Sequence, residues 1–563
     1  MKPGRGPVTV GIRAYLASER SEIYLRAVVD LTRCEGYAQC AFLAPTVFKM
    51  HGEESLMYDL NPDDAERQRV LRAAAACPVQ AIFVEGLKLR HGPKRASTSR
   101  SDHRNGQASS RPGRIVIVGA SLAGLRAAET LRKEGFTGSL TVIGDDPAEP
   151  YDRPPLSKQV LNGSLQAERT ALPGSRDLDA EWRLGEPAAG LDMRRKRVRL
   201  ASGQEIEFDR LLIATGTRAR PWPNEAEAAL DGVFVLRTRE DASRLRLRLA
   251  AGPRRVLVIG AGFTGSEVAS ICRELDLPVT VAEQGPAPLA GSLGGVIGRI
   301  AAGMQRDHGV DLRCGVTVTG LEGDGNGRLH RAHLSDGSVI DVDVAVVALG
   351  AIRNVEWLQG SGLAAGPWGV GCDAGCRVLD FNAVVTDDVF VAGDVARFPH
   401  AVYQYQFLAL EHWGNAVAQA EVAAHNMMSA QSDRWPHLSL PIFWSAQFGT
   451  NIKSVGVPTF ADEVVVAQGS VEDRQFVAVY GYQGRITAAV TFNQAKWLEF
   501  YEGLIKTAAE FPPDFASVDK PAAMRPVPAE VPDRILPMSD ATVILTGHTP
   551  NEWRAELVRR SEP

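Results

Sequence analysis

Two strand–turn–helix units punctuated by glycine constrain what this chain can fold into. The first begins at Arg114, in RIVIVGASLAGLRAAETL. Residues 115–118 are β-branched with no polar alternation, the pattern of a strand buried on both faces. Gly119 and Gly124 are the outer glycines of G-x-G-x-x-G, with Ser121 in the middle position. So little bulk lets backbone amides and a helix N-terminus approach a pyrophosphate. A second apolar run, SLTVIG, ends at Asp145, roughly 20 residues beyond the glycines, where a carboxylate can meet an adenosine ribose. The second unit, RRVLVIGAGFTGSEVASICRELDLPVTVAEQ, carries the full pattern in Gly260, Gly262 and Gly265, with Glu283 closing its following strand. That glutamate favours a ribose with a free 2′-hydroxyl, and Gln284, Gly285 and Pro286 offer no arginine for a 2′-phosphate, so NADH is expected over NADPH.

At 563 residues the chain is too long for one hydrophobic core. Its 45% hydrophobic and 23% charged residues are those of a globular protein, and a net charge of −5 gives no reason to expect nucleic acid. Nothing reads as a membrane span or a signal peptide. Seven cysteines, an odd number without an export signal, point to reduced thiols and a cytoplasmic setting.

Ahead of the first glycine unit the chain divides in three. Residues 1–25 form an N-terminal extension. Residues 26–90 hold Cys34, Cys40 and Cys77, the last followed at once by Pro78. Three thiolates on tight turns suit an iron–sulfur cluster, because soft sulfur ligands hold iron; three buried free cysteines are the alternative. Residues 91–113, rich in Ser, Gly and Arg, read as a flexible linker. Its r.m.s. span would be roughly 24–29 Å, enough for a small domain to reach a neighbouring domain of the same chain. Between residues 26 and 86 acids outnumber bases by three, which would suit a basic docking surface.

The segments VDLTRCEGYAQC and CPVQAI resemble the small single-cluster bacterial ferredoxins. Tyr37 stands where their four-cysteine members place the middle cysteine. The resemblance therefore implies a 3Fe-4S cluster on Cys34, Cys40 and Cys77, a 4Fe-4S cluster with a non-cysteine fourth ligand remaining open.

Farther along, the strand in EFDRLLIATGTRARPWP ends at Thr215 and Gly216, and DDVFVAGDVARFP places Asp394 on a strand-end turn. This last segment resembles the second FAD motif of the glutathione-reductase-like fold, which implies FAD at the first glycine unit and NAD at the second. PYDRPPLSK, GAGFTGSEVA, LEHWGNA and PIFWSAQ are similar to motifs of the NADH-dependent ferredoxin reductases of bacterial oxygenase systems. That resemblance implies that Arg153, Lys158, Gly350 and Trp413 lie at the cofactors. Glu267 would pair with Lys158 near the nicotinamide, and Trp444 would sit beside the flavin. Ala446 departs from the aspartate many relatives carry. Residues 152–160 hold no cysteine, so no thiol relay stands at the flavin turn, and the pair Cys372 and Cys376 reads as incidental.

The fold class expected is an α+β ferredoxin-like domain, then an α/β flavoprotein with two dinucleotide-binding domains, then an α+β C-terminal domain. The boundaries are 114–225 and 351–435 for the FAD domain, 226–350 for the NAD domain and 436–510 for the C-terminal domain. Residues 511–563 are a proline-rich extension, expected as an extended wrap or tail, with a strand and a short helix over 541–560. The implied activity is a ferredoxin–NAD(+) reductase passing electrons from NADH through FAD and the cluster to an external oxygenase such as a haem-thiolate cytochrome P-450. The alternatives are an NADH-responsive binding module resembling apoptosis-inducing factor, and a reductase feeding a different acceptor.

Overall fold

The computed structural model describes residues 25–29, 31, 34, 36, 38–51, 55–60, 62–77, 81–85, 112–174, 178–514, 526–531, 541–546 and 554–559. The expected N-terminal extension to residue 24, Tyr37 and nearly all of the expected linker lie outside these.

The first glycine unit builds a six-stranded sheet in the order Arg377–Leu379, Val385–Val391, Arg210–Ile213, Arg114–Val118, Ser139–Gly144, Glu181–Leu184. All neighbours are parallel except the first pair. Its interior strands are buried on both faces, as their unbroken apolar runs require. Arg114–Val118 sits where connections leave in opposite directions, so the glycine turn opens into the crevice at the carboxyl ends of the strands. Val385–Val391 joins this sheet only after the chain has built the NAD domain.

That second domain is a five-stranded parallel sheet in the order Val233–Val235, Val344–Val347, Val256–Ile259, Val279–Glu283, Asp311–Cys314. The two crossings between the domains lie side by side as the antiparallel pair Thr217–Ala219 and Ala351–Arg353. An antiparallel sheet from Ile442–Gln447 to Gln475–Tyr482 and Glu463–Ser470 forms the C-terminal domain, with the helix Leu498–Lys506 packed on it.

Val527–Pro528 adds an edge strand to that sheet. Beyond it, Glu530 pairs with Arg299 of the long NAD-domain helix, and its carbonyl accepts from the Gly295 amide at 3.1 Å. Residues 526–531 of the extension therefore form a wrap. The helix expected within 541–560 is instead the second strand of a hairpin, Ala541–Thr546 with Arg554–Arg559. Residues 554–559 suit a helix by propensity, but the neighbouring strand offers a complete backbone ladder.

In the ferredoxin domain Arg26–Val29 pairs antiparallel with Ile82–Glu85, and Phe48–His51 pairs with Ser55–Tyr58. The helices Gln39–Leu43 and Arg67–Ala76 lie between these pairs in sequence. Its core does not close on itself. Leu25, Phe48 and Leu60 belong to one buried cluster with Tyr151, Leu156, Val160 and Leu165 of the FAD domain. Among the described residues no helix is long and apolar enough to cross a membrane.

Candidate functional site

Gly119, at φ 125°, opens the first turn; a Cβ there would stand 2.0 Å from the Ala214 carbonyl oxygen. One on Gly124 would stand 1.9 Å from the Gly119 carbonyl oxygen, so both positions require glycine. Ser121 precedes the helix Leu122–Lys133 as its N-cap residue, and its hydroxyl meets the Arg153 guanidinium. Burial, together with nearby Arg237, holds Arg153 below the usual guanidinium pKa. Its Nε is buried with no hydrogen-bond partner. A helix N-terminus, a bare glycine turn and a guanidinium with an orphaned donor fit the pyrophosphate of a dinucleotide.

Asp145, one residue beyond the strand Ser139–Gly144, is exposed to solvent, whereas Asp146 turns in to accept from the Tyr151 hydroxyl at 2.7 Å. Thr215 and Asn354 bind one another: the Thr215 hydroxyl donates to the Asn354 carbonyl at 2.7 Å, and the Asn354 amide returns a bond at 2.9 Å. Gly216 and Gly350, at φ 61° and 83°, lie on the two crossings beside this pair. Asp394 is paired with Arg237 at 2.9 Å. Trp413 donates to Asp152 at 2.9 Å and meets Trp444 edge to face at 6.3 Å. Burial pushes the Asp152 carboxyl up to about 6, against the pull of the Trp413 hydrogen bond and of Lys158 and Arg153.

The second turn repeats the logic of the first. Gly260 (φ 99°) passes under the Ala348 carbonyl oxygen, 2.6 Å from where its Cβ would be, and Gly265 packs against Gly260. Gly262 faces open space at the N-terminus of the helix Phe263–Glu274. The Glu283 carboxylate accepts from the Ala261 and Gly285 amides, each at 2.6 Å, and so stands fixed across the turn. This turn also fits a dinucleotide.

Glu267 is buried where three domains meet. Lys158 of the FAD domain is 2.7 Å from its Oε2, Ser157 bonds the same oxygen, and Ser445 of the C-terminal domain donates to Oε1 at 2.6 Å. Gln447 donates to Ser445 in turn, at 2.9 Å. The Lys158–Glu267 pair was legible as a resemblance; Ser445, Asp152 and Arg237 were not singled out. Strand alternation carried a signal for Ser445, since it faces opposite to Trp444 and Ala446.

Cys34, Cys40 and Cys77, each partly buried, pack against the core that the ferredoxin and FAD domains share. Burial, with Cys34 and Cys77 as neighbouring sulfurs, raises the Cys40 thiol to about 11. The Ala81 amide donates to the Cys77 sulfur at 3.3 Å. Among the described residues no three His, Cys, Asp or Glu side chains stand close enough to hold a single ion. A set of three soft sulfurs fits a cluster of several irons, which holds its ligands farther apart than one ion does. Cys372 and Cys376 are buried, and burial raises both thiols, so neither offers a ready thiolate.

Residues 113–420 match the pyridine nucleotide-disulphide oxidoreductase family, 442–527 the reductase C-terminal family, and 29–84 the 4Fe-4S single cluster domain of ferredoxin I. The p-cumate 2,3-dioxygenase system ferredoxin–NAD(+) reductase component of Pseudomonas putida is 33% identical over 350 residues, which cover 61% of this chain and 81% of that protein. Apoptosis-inducing factor 3 of Homo sapiens is 33% identical over 399 residues, 70% of this chain but only 62% of the relative. The covalent putidaredoxin reductase–putidaredoxin complex is similar in structure, with a TM-score of 0.65 and 28% identity, covering 70% of this chain and 93% of that one. The chain belongs to the pyridine nucleotide-disulphide oxidoreductase family, as a ferredoxin–NAD(+) reductase that carries its own ferredoxin domain.

Proposed function

We propose that the protein takes electrons from NADH and delivers them singly, through FAD and the cluster of its own ferredoxin domain, to an external oxygenase, foremost a cytochrome P-450. When bound, FAD supplies the chemistry that converts a two-electron hydride into single electrons. The observation that carries the reading is one cavity of about 60 Å³, lined at once by Cys34, Lys158 and Trp444. It brings a cluster ligand to the residues that the family resemblance sets beside flavin and nicotinamide.

The chain's residues divide the work. Gly119, Ser121, Gly124 and Arg153 hold the FAD pyrophosphate, while Asp145, Thr215, Gly216, Gly350, Asp394 and Trp413 frame the rest of that cofactor. Gly260, Gly262, Gly265 and Glu283 hold NADH. Lys158 and Glu267 orient the nicotinamide, and Trp444 covers the flavin and excludes water. Cys34, Cys40 and Cys77 hold a 3Fe-4S cluster, and the protein works in the cytoplasm.

Anaerobic EPR of the purified protein, with iron, sulfide and flavin quantified, tests this reading. A three-iron cluster gives a signal when oxidised that NADH abolishes. A signal that appears only on reduction identifies a four-iron cluster instead. Failure of NADH to change the cluster signal removes the electron-transfer reading and favours the binding module, which the likeness to apoptosis-inducing factor 3 supports.

A further inference from the structure

We propose that Lys453 is a positioning residue that pins the cluster loop of the ferredoxin domain against the flavin side of the reductase, so that electrons cross from a docked state within one chain. The inference rests on the electron-transfer reading above and adds the surface and the side chain that make the transfer possible.

Lys453 lies on Thr450–Gly456, a strand buried along its whole length, directly opposite Trp444 in the ladder. It is only 4% exposed, and an ammonium so placed needs acceptors for its protons. The ferredoxin domain supplies them: Lys453 donates to the Leu31 carbonyl at 3.0 Å and to the carbonyl of Cys34, itself a proposed cluster ligand. One side chain thus joins the strand paired with that of Trp444 to the loop carrying the cluster.

Two further observations define the same interface. Arg169 of the FAD domain pairs with Asp59 of the ferredoxin domain at 2.8 Å. The apolar cluster that contains Leu25 and Phe48 on one side and Tyr151 and Val160 on the other continues across the seam. At each of these contacts a basic reductase side chain meets the ferredoxin domain, through backbone carbonyls at Lys453 and through a carboxylate at Arg169.

With FAD and the cluster bound, Lys453 would hold the loop so that one electron at a time could cross from flavin to cluster, the flavin proton going to solvent and the first electron leaving for an acceptor before the second crosses. Reduction adds a negative charge to the cluster, which a cation hydrogen-bonded to the cluster loop stabilises. Lys453 therefore raises the cluster's reduction potential as well as holding its position.

The test uses full-length holoprotein, comparing wild type with Lys453→Met and Asp59→Ala. Stopped-flow gives the rates of flavin and cluster reduction by NADH in one trace. Hydrogen exchange of residues 38–44 and an EPR-monitored redox titration give readouts independent of turnover. Lys453→Met removes two charge-assisted hydrogen bonds, so the ratio of cluster to flavin rates falls about tenfold or more. Exchange at 38–44 rises, and the cluster potential falls. Asp59→Ala removes a partly exposed pair, so the ratio falls only about two- to fivefold and the potential holds. An unchanged ratio and unchanged exchange in Lys453→Met overturn the proposal. Should that variant lose its flavin or cluster, Asp59→Ala and Arg169→Ala decide, and wild-type ratios in both overturn it. Wild-type protein whose cluster NADH cannot reduce would remove the electron-transfer reading alone; exchange that stays protected in Lys453→Met would then still overturn the pin.

Discussion

Glu267 shows how much one carboxylate can be asked to do. It accepts from Lys158, Ser157 and Ser445, three side chains from two other domains. Removing one partner of a buried ion pair leaves the other charge uncompensated, at about 3–5 kcal/mol. Glu267→Ala should therefore lower the temperature at which flavin fluorescence is released and slow flavin reduction by NADH; an unshifted release temperature would show the pair to be dispensable. Asp152 is the second residue whose environment sets its behaviour. Its folded pKa, about 6, lies above the ordinary aspartate value, so the folded state holds its proton longer than the unfolded chain does. The stability it contributes is fully present below about pH 4 and is lost as pH rises through 6, a change on the order of 3 kcal/mol. Asp152→Asn should remove that part of the pH dependence, and stability curves of the two proteins that stay parallel from pH 4 to 7 would refute the assignment.

At the scale of elements, the two glycine turns are alike in backbone and unlike in charge. Gly119 donates to the Ile143 carbonyl at 2.7 Å as Gly260 donates to the Ala282 carbonyl at 2.8 Å. By that equivalence Gly144 occupies in the first unit the place that Glu283 holds in the second, and Asp145 comes one residue later. Spacing along the sequence resolves an acid to within a residue or so; only the ladder register tells which way it faces. Gly119→Ala should abolish FAD retention, since the added methyl would overlap the Ala214 carbonyl; a variant purified with full flavin content would contradict this. Glu283 repels a 2′-phosphate carrying roughly −1.5 to −2 charge. Efficiency, kcat/KM, should accordingly be at least about tenfold higher with NADH than with NADPH, roughly 1.4 kcal/mol. Equal efficiencies would sink the selectivity.

For the whole molecule the arrangement of domains is the functional statement. Cys34→Ser, Cys40→Ser and Cys77→Ser should each remove the iron–sulfur absorbance yet keep flavin and NADH–ferricyanide activity, while reduction of cytochrome c fails. A cluster that survives any one substitution unchanged would exclude that cysteine as a ligand. Because the ferredoxin core is shared with the FAD domain, its reduction by NADH should have a rate constant independent of protein concentration. A rate rising in proportion to concentration would mean that the domain is served by another chain.

Taken alone, the sequence determined the two dinucleotide units, and by family resemblance it implied the return of the chain to the FAD sheet and the Lys158–Glu267 pair. The units are carried by local patterns whose residues have no substitute: a turn that a Cβ would close and a strand buried on both faces. Tertiary structure alone decided that Ser445 completes the hold on Glu267, that Arg153 keeps an orphaned donor beside Arg237, and that residues 526–531 join the NAD and C-terminal domains. It alone placed Lys453 under the cluster loop, 419 positions along the chain from Cys34. A lysine in a strand that also carries Thr450, Asn451 and Ser454 reads as a solvent-facing residue until another domain covers it. What it donates to is backbone carbonyl, and every residue carries one. No residue type at position 31 or 34 could announce that contact, because hydrogen bonds to main chain leave no mark in the sequence of the acceptor.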